Sequence, residues 1–335
     1  MGNSGAALAD PTAASYYNPS LLNKKIDNSY SLAGNTLGSF SSKSENKETT
    51  SFALNPSYLS SIIVGTSLVH EFFLANISPS KVKTVVTSTT ASAKNRTEIS
   101  RDQTQFLFGY SMAFRKVPFA LSYFGQFNQI SSVGFNEFTS LTSNARSTAS
   151  TKSDLKSLGV GISISGHTTY ENYSLGYQIR SRQLSVYKKS EGLVTTFLHG
   201  GTTSTDYSKT ETENLNEQVE ELGSSFIVGH GFKLGDHEFI TDSQFQESSD
   251  LNYTYNLTQT FGYRMNSDGG HQILCGISHK IGNEIKYFGQ SAYYSVGYSW
   301  LTRANRSVLG AYVYSSKLQQ DNFAAGLTFG SEFMF

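Results

Sequence analysis

The sequence predicts an all-β fold: a transmembrane antiparallel β-barrel of about 14 strands, with a short N-terminal helical segment in or near the lumen. Three observations predict it. Apolar and polar residues alternate with period two for ten or more residues at a time, longer than the five or six residues usual in a soluble sheet. The alternate positions hold Gly, Ser, Thr and Asn with few charges, as the lining of a packed or water-filled lumen does. The chain closes on an amphipathic segment that ends in Phe335.

Composition narrows the alternatives. The 335 residues carry 26 Lys+Arg against 26 Asp+Glu, so no net charge favours nucleic acid. Apolar residues make up 38% and charged residues 16%, both below the roughly 45–50% and about 25% of ordinary globular domains. Disorder fits poorly, because 13% of the chain is aromatic and only 5 residues are Pro. The single Cys275 excludes a disulfide framework and a multi-cysteine metal site, and reads as a small strand residue. No apolar run approaches the roughly 18 residues of a membrane helix. The chain does not open on a basic region followed by an apolar one, so either it is not secreted or Met1 replaces a removed signal.

Two units follow in order, an N-terminal segment over 1–27 and the barrel over 28–335. Within 2–22 (GNSGAALADPTAASYYNPSLL) no period-two pattern exists. Asp10 with Pro11 forms an N-cap and first-turn pair, Ala13 to Tyr17 suits a short helix, and Asn18-Pro19 ends it. So short a helix is unstable alone. It is expected to dock in the lumen through Ala6, Ala7, Tyr16, Tyr17 and Asn18-Pro19.

Strands are predicted over 28–41, 50–60, 62–77, 99–115, 118–132, 153–167, 172–187, 193–203, 222–234, 237–249, 251–264, 270–282, 286–302, 305–317 and 320–335. A barrel with both ends on one side needs an even number. Fourteen is the expectation, with the surplus assigned to 50–100, where Pro56 and Pro79 interrupt the pattern. The alternation is plain in Phe106, Phe108, Tyr110, Met112 and Phe114, set against Leu107, Gly109, Ser111 and Ala113. Leu158, Val160, Ile162 and Ile164 repeat it against Gly159, Gly161 and Ser163. Tyr294, Tyr298, Trp300, Phe329, Phe333 and Phe335 are the expected membrane-girdle and assembly residues, aromatics placed near strand ends.

Tight turns are expected at Leu234-Gly235-Asp236, Asn266 to Gly270 and Ile281-Gly282-Asn283, and long polar connections around 41–49, 78–100, 139–152 and 203–221. Within the last and just past it, Glu211 to Leu222 (ETENLNEQVEEL) sets Leu215, Val219 and Leu222 at helical spacing, which predicts an outer-loop helix with an apolar patch. Catalytic chemistry finds no support. The seven histidines lack metal-ligand spacing, no nucleophile elbow, phosphate loop or dinucleotide motif occurs, and no cofactor or metal is expected.

The N-terminal residues Gly2, Ser4, Gly5, Ala6, Ala7, Ala9, Asp10, Ala13 and Asn18-Pro19-Ser20 resemble the hatch motif of the FadL-type outer-membrane transporters of hydrophobic compounds. The resemblance is sharp over about 20 residues. It implies a fourteen-stranded barrel whose N-terminal segment is a hatch, and ligands such as fatty acids or aromatic hydrocarbons. In that family such ligands enter from an outer groove built partly by loop helices, and leave sideways through a kinked strand. The final strand and terminal Phe335 resemble the C-terminal signal of bacterial outer-membrane barrels, which implies the outer-membrane assembly machinery as a partner and a Gram-negative outer membrane as the location.

Two functional readings remain open. The first is binding or transport of hydrophobic small molecules, without catalysis, with membrane lipid as the surroundings. The second is an oligomeric porin-like barrel whose N-terminal segment mediates assembly with further copies of the chain and which can hold lipid. A plain diffusion porin fits less well, since it should carry charges facing the lumen.

Overall fold

A computed structural model describes residues 7, 18–40, 50–76, 80–90, 92–142, 145–199, 207–213, 223–247, 255–281, 291–316 and 322–335. It contains one antiparallel sheet closed on itself. The strand segments are β1 (Ser29–Phe40), β2 (Thr50–Val64), β3 (Leu68–Asn76), β4 (Ser80–Thr89), β5 (Ala93–Phe114), β6 (Phe119–Ser140), β7 (Arg146–Tyr170), β8 (Tyr173–Arg180) and β9 (Leu184–His199). They continue as β10 (Tyr207–Glu213), β11 (Ser225–Leu234), β12 (His237–Glu247), β13 (Tyr255–Ser267), β14 (His271–Ile281), β15 (Ser291–Leu301), β16 (Asn305–Ser316) and β17 (Asn322–Met334). Pairing of β1 with β17, from Ser29↔Met334 to Phe40↔Phe323, closes the barrel.

Among the described residues, seventeen segments make fourteen wall positions because three positions are each shared by two segments. β3 and β4 lie in turn against β5, β8 and β9 lie in turn against β7, and β10 and β11 continue each other alongside β9 and β8. The expected number is therefore observed, but the surplus arises at 172–203, where one broken strand reads as two, and not in 50–100. Pro56 does not break β2. The register with β1 slips between Ala33↔Tyr58 and Gly34↔Pro56, and a bulge is where a strand tolerates a residue without an N–H.

Six tight turns and both ends of the barrel share one rim, which includes Gly235 at φ 61° and Gly269 and Gly270 at φ 78° and 80°, the left-handed region that glycine enters freely. Leu234-Gly235-Asp236 and Asn266 to Gly270 turn as expected. Ile281 instead ends β14 at the opposite rim, and 282–290 lie outside the described residues. The polar stretches are the larger correction. β4 and the start of β5 occupy 80–99, β7 starts at Arg146, and β10 occupies 207–213. There the strands run on with polar residues on both faces.

Burial is inverted relative to a water-soluble protein. Phe108, Tyr123, Ile162, Phe261 and Leu327 project outward and are 41% to 53% exposed, while Ser111, Ser122, Gln126, Ser165 and Gln178 on the alternate positions are buried. Such a wall is stable only against hydrocarbon, since about 25 cal/mol per Å² favours removing apolar surface from water. No helix among the described residues is long and apolar enough to cross a membrane. Close packing on the outer face depends on small partners: a Cβ on Gly34 would lie 2.3 Å from the Phe329 ring, so the β17 aromatic lies across β1 only because that position is glycine.

Four histidines near the turn rim meet a tyrosine hydroxyl from a neighbouring strand: His70 with Tyr110 at 2.6 Å, His230 with Tyr173 at 2.7 Å, His237 with Tyr263 at 2.8 Å and His271 with Tyr298 at 2.6 Å. Each pair ties two strands through rings that are apolar in body and polar at the tip.

Tyr294, Tyr298, Phe329, Phe333 and Phe335 all lie on the exposed outer face, and Trp300 is half-buried against Tyr298 at 6.0 Å. The Phe335 ring stacks on Tyr30 at 5.2 Å, and its N–H donates to the Asn28 carbonyl at 3.0 Å, across the closing seam. Replacing Phe333 and Phe335 by Ala is expected to lower the yield of folded barrel in the membrane while leaving the function of the molecules that do fold unchanged. Heat-modifiability on gels reads this, and an unchanged folded fraction would contradict it.

Candidate functional site

The site is built where the N-terminal residues return into the barrel. Asn18 caps a six-residue 3-10 turn, Pro19–Lys24: its side chain accepts from the Ser20 N–H, and Pro19 supplies the fixed φ of a first-turn residue. Asn18-Pro19 thus starts the described helical turn. The sequence suggested that it ends one, and Ala13 to Tyr17, the expected helix, lies outside the described residues.

The turn is held by the inner wall of β7. Asn18 Nδ2 donates to the Gly166 carbonyl at 3.1 Å, the Ser20 N–H donates to Ser165 Oγ at 3.0 Å, and Ser20 Oγ lies 2.9 Å from His167 Nδ1. Leu21 and Leu22 enter an apolar cluster with Ile62, Val69, Ala113 and Ala120, from β2, β3, β5 and β6, with Val64 at its edge. These wall residues all neighbour the short turns, so the 3-10 turn is seated inside the turn-bearing end of the barrel.

Two buried ion pairs complete this end. Lys25 Nζ pairs with Glu332 Oε1 of β17, and Arg264 of β13 forks onto Glu238 of β12, its Nε at 2.6 Å. Lys24 remains exposed at the mouth. Partial loss of hydration lowers its pKa from the ordinary lysine value, with Glu238 opposing that shift and Arg264 adding to it. Higher on the wall, Glu71 is buried and accepts from the Tyr58 hydroxyl at 2.6 Å. Lys25, Glu332, Arg264, Glu238 and Glu71 are thus each engaged with another side chain.

The expected hatch residues divide. Ala7, Asn18 and Pro19 are buried. Gly5, Ala6, Asp10, Tyr16 and Tyr17 lie outside the described residues, as do Leu215, Val219 and Leu222. Of the expected loop helix, Glu211–Glu213 are described. They are strand, paired with Val194, Leu193 and Gly192, because the wall continues into this stretch. Sequence reading missed Ser20, Leu21, Leu22, Lys25, His167 and Glu332 as site residues. Glu332 alone gave a usable signal: it is an acid on the lumen face of the last strand, and a buried carboxylate needs a cation. Among the described residues no group of three metal-ligating side chains occurs.

No protein family and no curated protein matches this sequence. Solved structures do match in three dimensions. CymD, a monoaromatic hydrocarbon channel, superposes with a TM-score of 0.63 at 10% identity, covering 99% of this chain and 94% of its own. The chain has the FadL-type barrel fold. The Pseudomonas aeruginosa FadL homologue gives a TM-score of 0.60 at 10% identity over 99% of this chain and 96% of that one. The P. putida toluene transporter TodX gives 0.59 at 11% over 97% and 94%. At such identities the likeness is one of fold.

Proposed function

We propose that this chain is an outer-membrane passage for hydrophobic small molecules, in which residues 1–27 act as a hatch and no bond is made or broken. The observation that carries the reading is the seating of Asn18–Leu22 inside the barrel end, buried and bonded to Ser165, Gly166 and His167. Likeness to barrels described as hydrocarbon channels and a toluene transporter supports the cargo class. Lys25 with Glu332 and Arg264 with Glu238 are engaged as ion pairs, which suits an apolar solute better than an ion or a sugar. Tyr294, Tyr298, Trp300, Phe329, Phe333 and Phe335 serve as girdle and closing-strand residues, and Gly5, Ala6, Ala7, Asp10, Tyr16, Tyr17, Asn18 and Pro19 as the hatch. Leu215, Val219 and Leu222 serve as an apolar patch near the entry.

Proteoliposomes test this directly. Labelled toluene and a labelled long-chain fatty acid are offered beside a sugar of similar size. Accelerated uptake of a hydrophobic solute without sugar-driven swelling is expected, and the solute that is faster names the cargo. Swelling by sugar with no gain for either hydrophobic solute would make the barrel a diffusion porin.

A further inference from the structure

We propose that the outward face of the wall carries a trough that binds the acyl chain of an anionic membrane lipid, with Arg182 as its headgroup contact. The trough encloses about 880 Å³ and runs obliquely from Phe72 on β3 across β5, β6 and β7 to Ser181, Arg182 and Leu184, where the wall strand formed by β8 and β9 is interrupted. Its size falls within the roughly 300–1,000 Å³ of ligand clefts.

A barrel wall is convex and studded with side chains, so a hollow of this size needs a cause. Gly125 provides one. It faces outward with no side chain, and the Phe108 ring lies across it, 2.4 Å from where a Cβ would stand. Tyr123, Ile162 and Leu184 then stand up as rims, 53%, 48% and 71% exposed. The interruption provides the other cause. Ser163↔Arg180 is followed by Val160↔Leu184, so β7 advances three residues while its neighbour advances four. Ser181 pins the jog to the trough: its N–H donates to the Ile162 carbonyl at 2.9 Å and its hydroxyl accepts from the Ile162 N–H at 3.1 Å.

Charge selects the occupant. Arg182 follows the jog with its side chain 66% exposed, and its ion pair with Glu247 is 3.7 Å long. Glu247 Oε2 accepts from both the N–H and the hydroxyl of Ser224, at 3.0 and 3.1 Å. A loose surface pair of this kind contributes little. It leaves a cation at the end of an apolar, lipid-facing hollow, where an anionic headgroup is its natural counter-ion. The trough opens to the bilayer, because its rims belong to the exposed set, while Ser163 and Ser165 on the alternate positions of β7 are buried inside. A lipid of the surrounding membrane therefore reaches it without passing the lumen. The proposal depends on the membrane setting, independently of which solute crosses.

The test uses the purified full chain in a zwitterionic detergent, titrated with phosphatidylglycerol or phosphatidylcholine of identical acyl chains and read by native mass spectrometry. Wild type is expected to retain phosphatidylglycerol about fivefold better. Arg182→Gln should bring the two to parity with folded yield unchanged. Ile162→Trp, which fills the trough, should lower both, and Leu184→Trp at the rim serves if the first variant fails to fold. Equal retention by wild type, or a preference that survives Arg182→Gln, overturns the proposal. Laurate is the competing arm: if it displaces phosphatidylglycerol, and Arg182→Gln slows laurate uptake, the trough belongs to the cargo and the lipid assignment is wrong.

Discussion

Removal of residues 2–22 is expected to raise the conductance of the barrel in planar bilayers severalfold, with the number of subunits unchanged. The deleted stretch includes Asn18 and the first four residues, Pro19–Leu22, of the 3-10 turn that occupies the turn-bearing end of the lumen. A turn of six residues has no stability of its own, so its position rests on what it touches. Leu21 and Leu22 are buried, each contributing about 1.5–3 kcal/mol relative to exposure. Asn18 and Ser20 add hydrogen bonds to β7. Without them, Ile62, Val69, Ala113 and Ala120 face water and the end of the lumen opens. The paired substitution Leu21→Ser with Leu22→Ser should mimic the deletion at full chain length, since it removes the apolar anchor and keeps the cap. A change in subunit number in place of conductance would assign the segment to assembly, and no change in either would separate it from function altogether.

Glu332→Ala is expected to cost about 3–5 kcal/mol, because it removes the carboxylate that faces the buried Lys25 ammonium. The two side chains are 9% and 2% exposed, so water cannot take over the lost partner's role. The pair also has a particular position: it joins the residue that follows the hatch turn to the strand that closes the barrel against β1. Breaking it should loosen both. The double replacement Lys25→Met with Glu332→Leu should recover most of the loss, since exchanging a buried pair for apolar groups is often neutral. Urea midpoints in detergent for the two singles and the double form the cycle that measures the coupling. Additive losses would show that the pair is not a unit.

The barrel was legible wherever one strand face meets hydrocarbon. Phe106 to Phe114 and Leu158 to Ile164 alternate because every second side chain points to lipid, and this constraint acts residue by residue along the chain. Where strands run past that band it lapses. Lys81-Val82-Lys83-Thr84 looks like a polar connection because its two lysines and Thr84 leave a single apolar residue, yet it belongs to β4, held by backbone bonds to β5. The split at 181–183 was invisible for a similar reason. Backbone pairing to two different neighbours defines that strand, and local sequence records neither neighbour. The Asn18-Pro19 signal was plain as punctuation but ambiguous in direction, since the same two residues can end one turn or cap the next.

Local chemistry thus determined the class and the faces of this protein, and the even number that closure requires brought fifteen apparent strands to fourteen. Only the tertiary structure decided which residues meet. Ser20 and His167 are 147 positions apart and Lys25 and Glu332 are 307 apart, so their contacts depend on closure of the whole ring of strands. The trough likewise exists only because register sets Gly125 and Ile162, on neighbouring strands, beside the strand break that holds Arg182. Periodicity reports the environment of a single side chain, whereas a site is a relation between distant ones, fixed when the last strand pairs with the first.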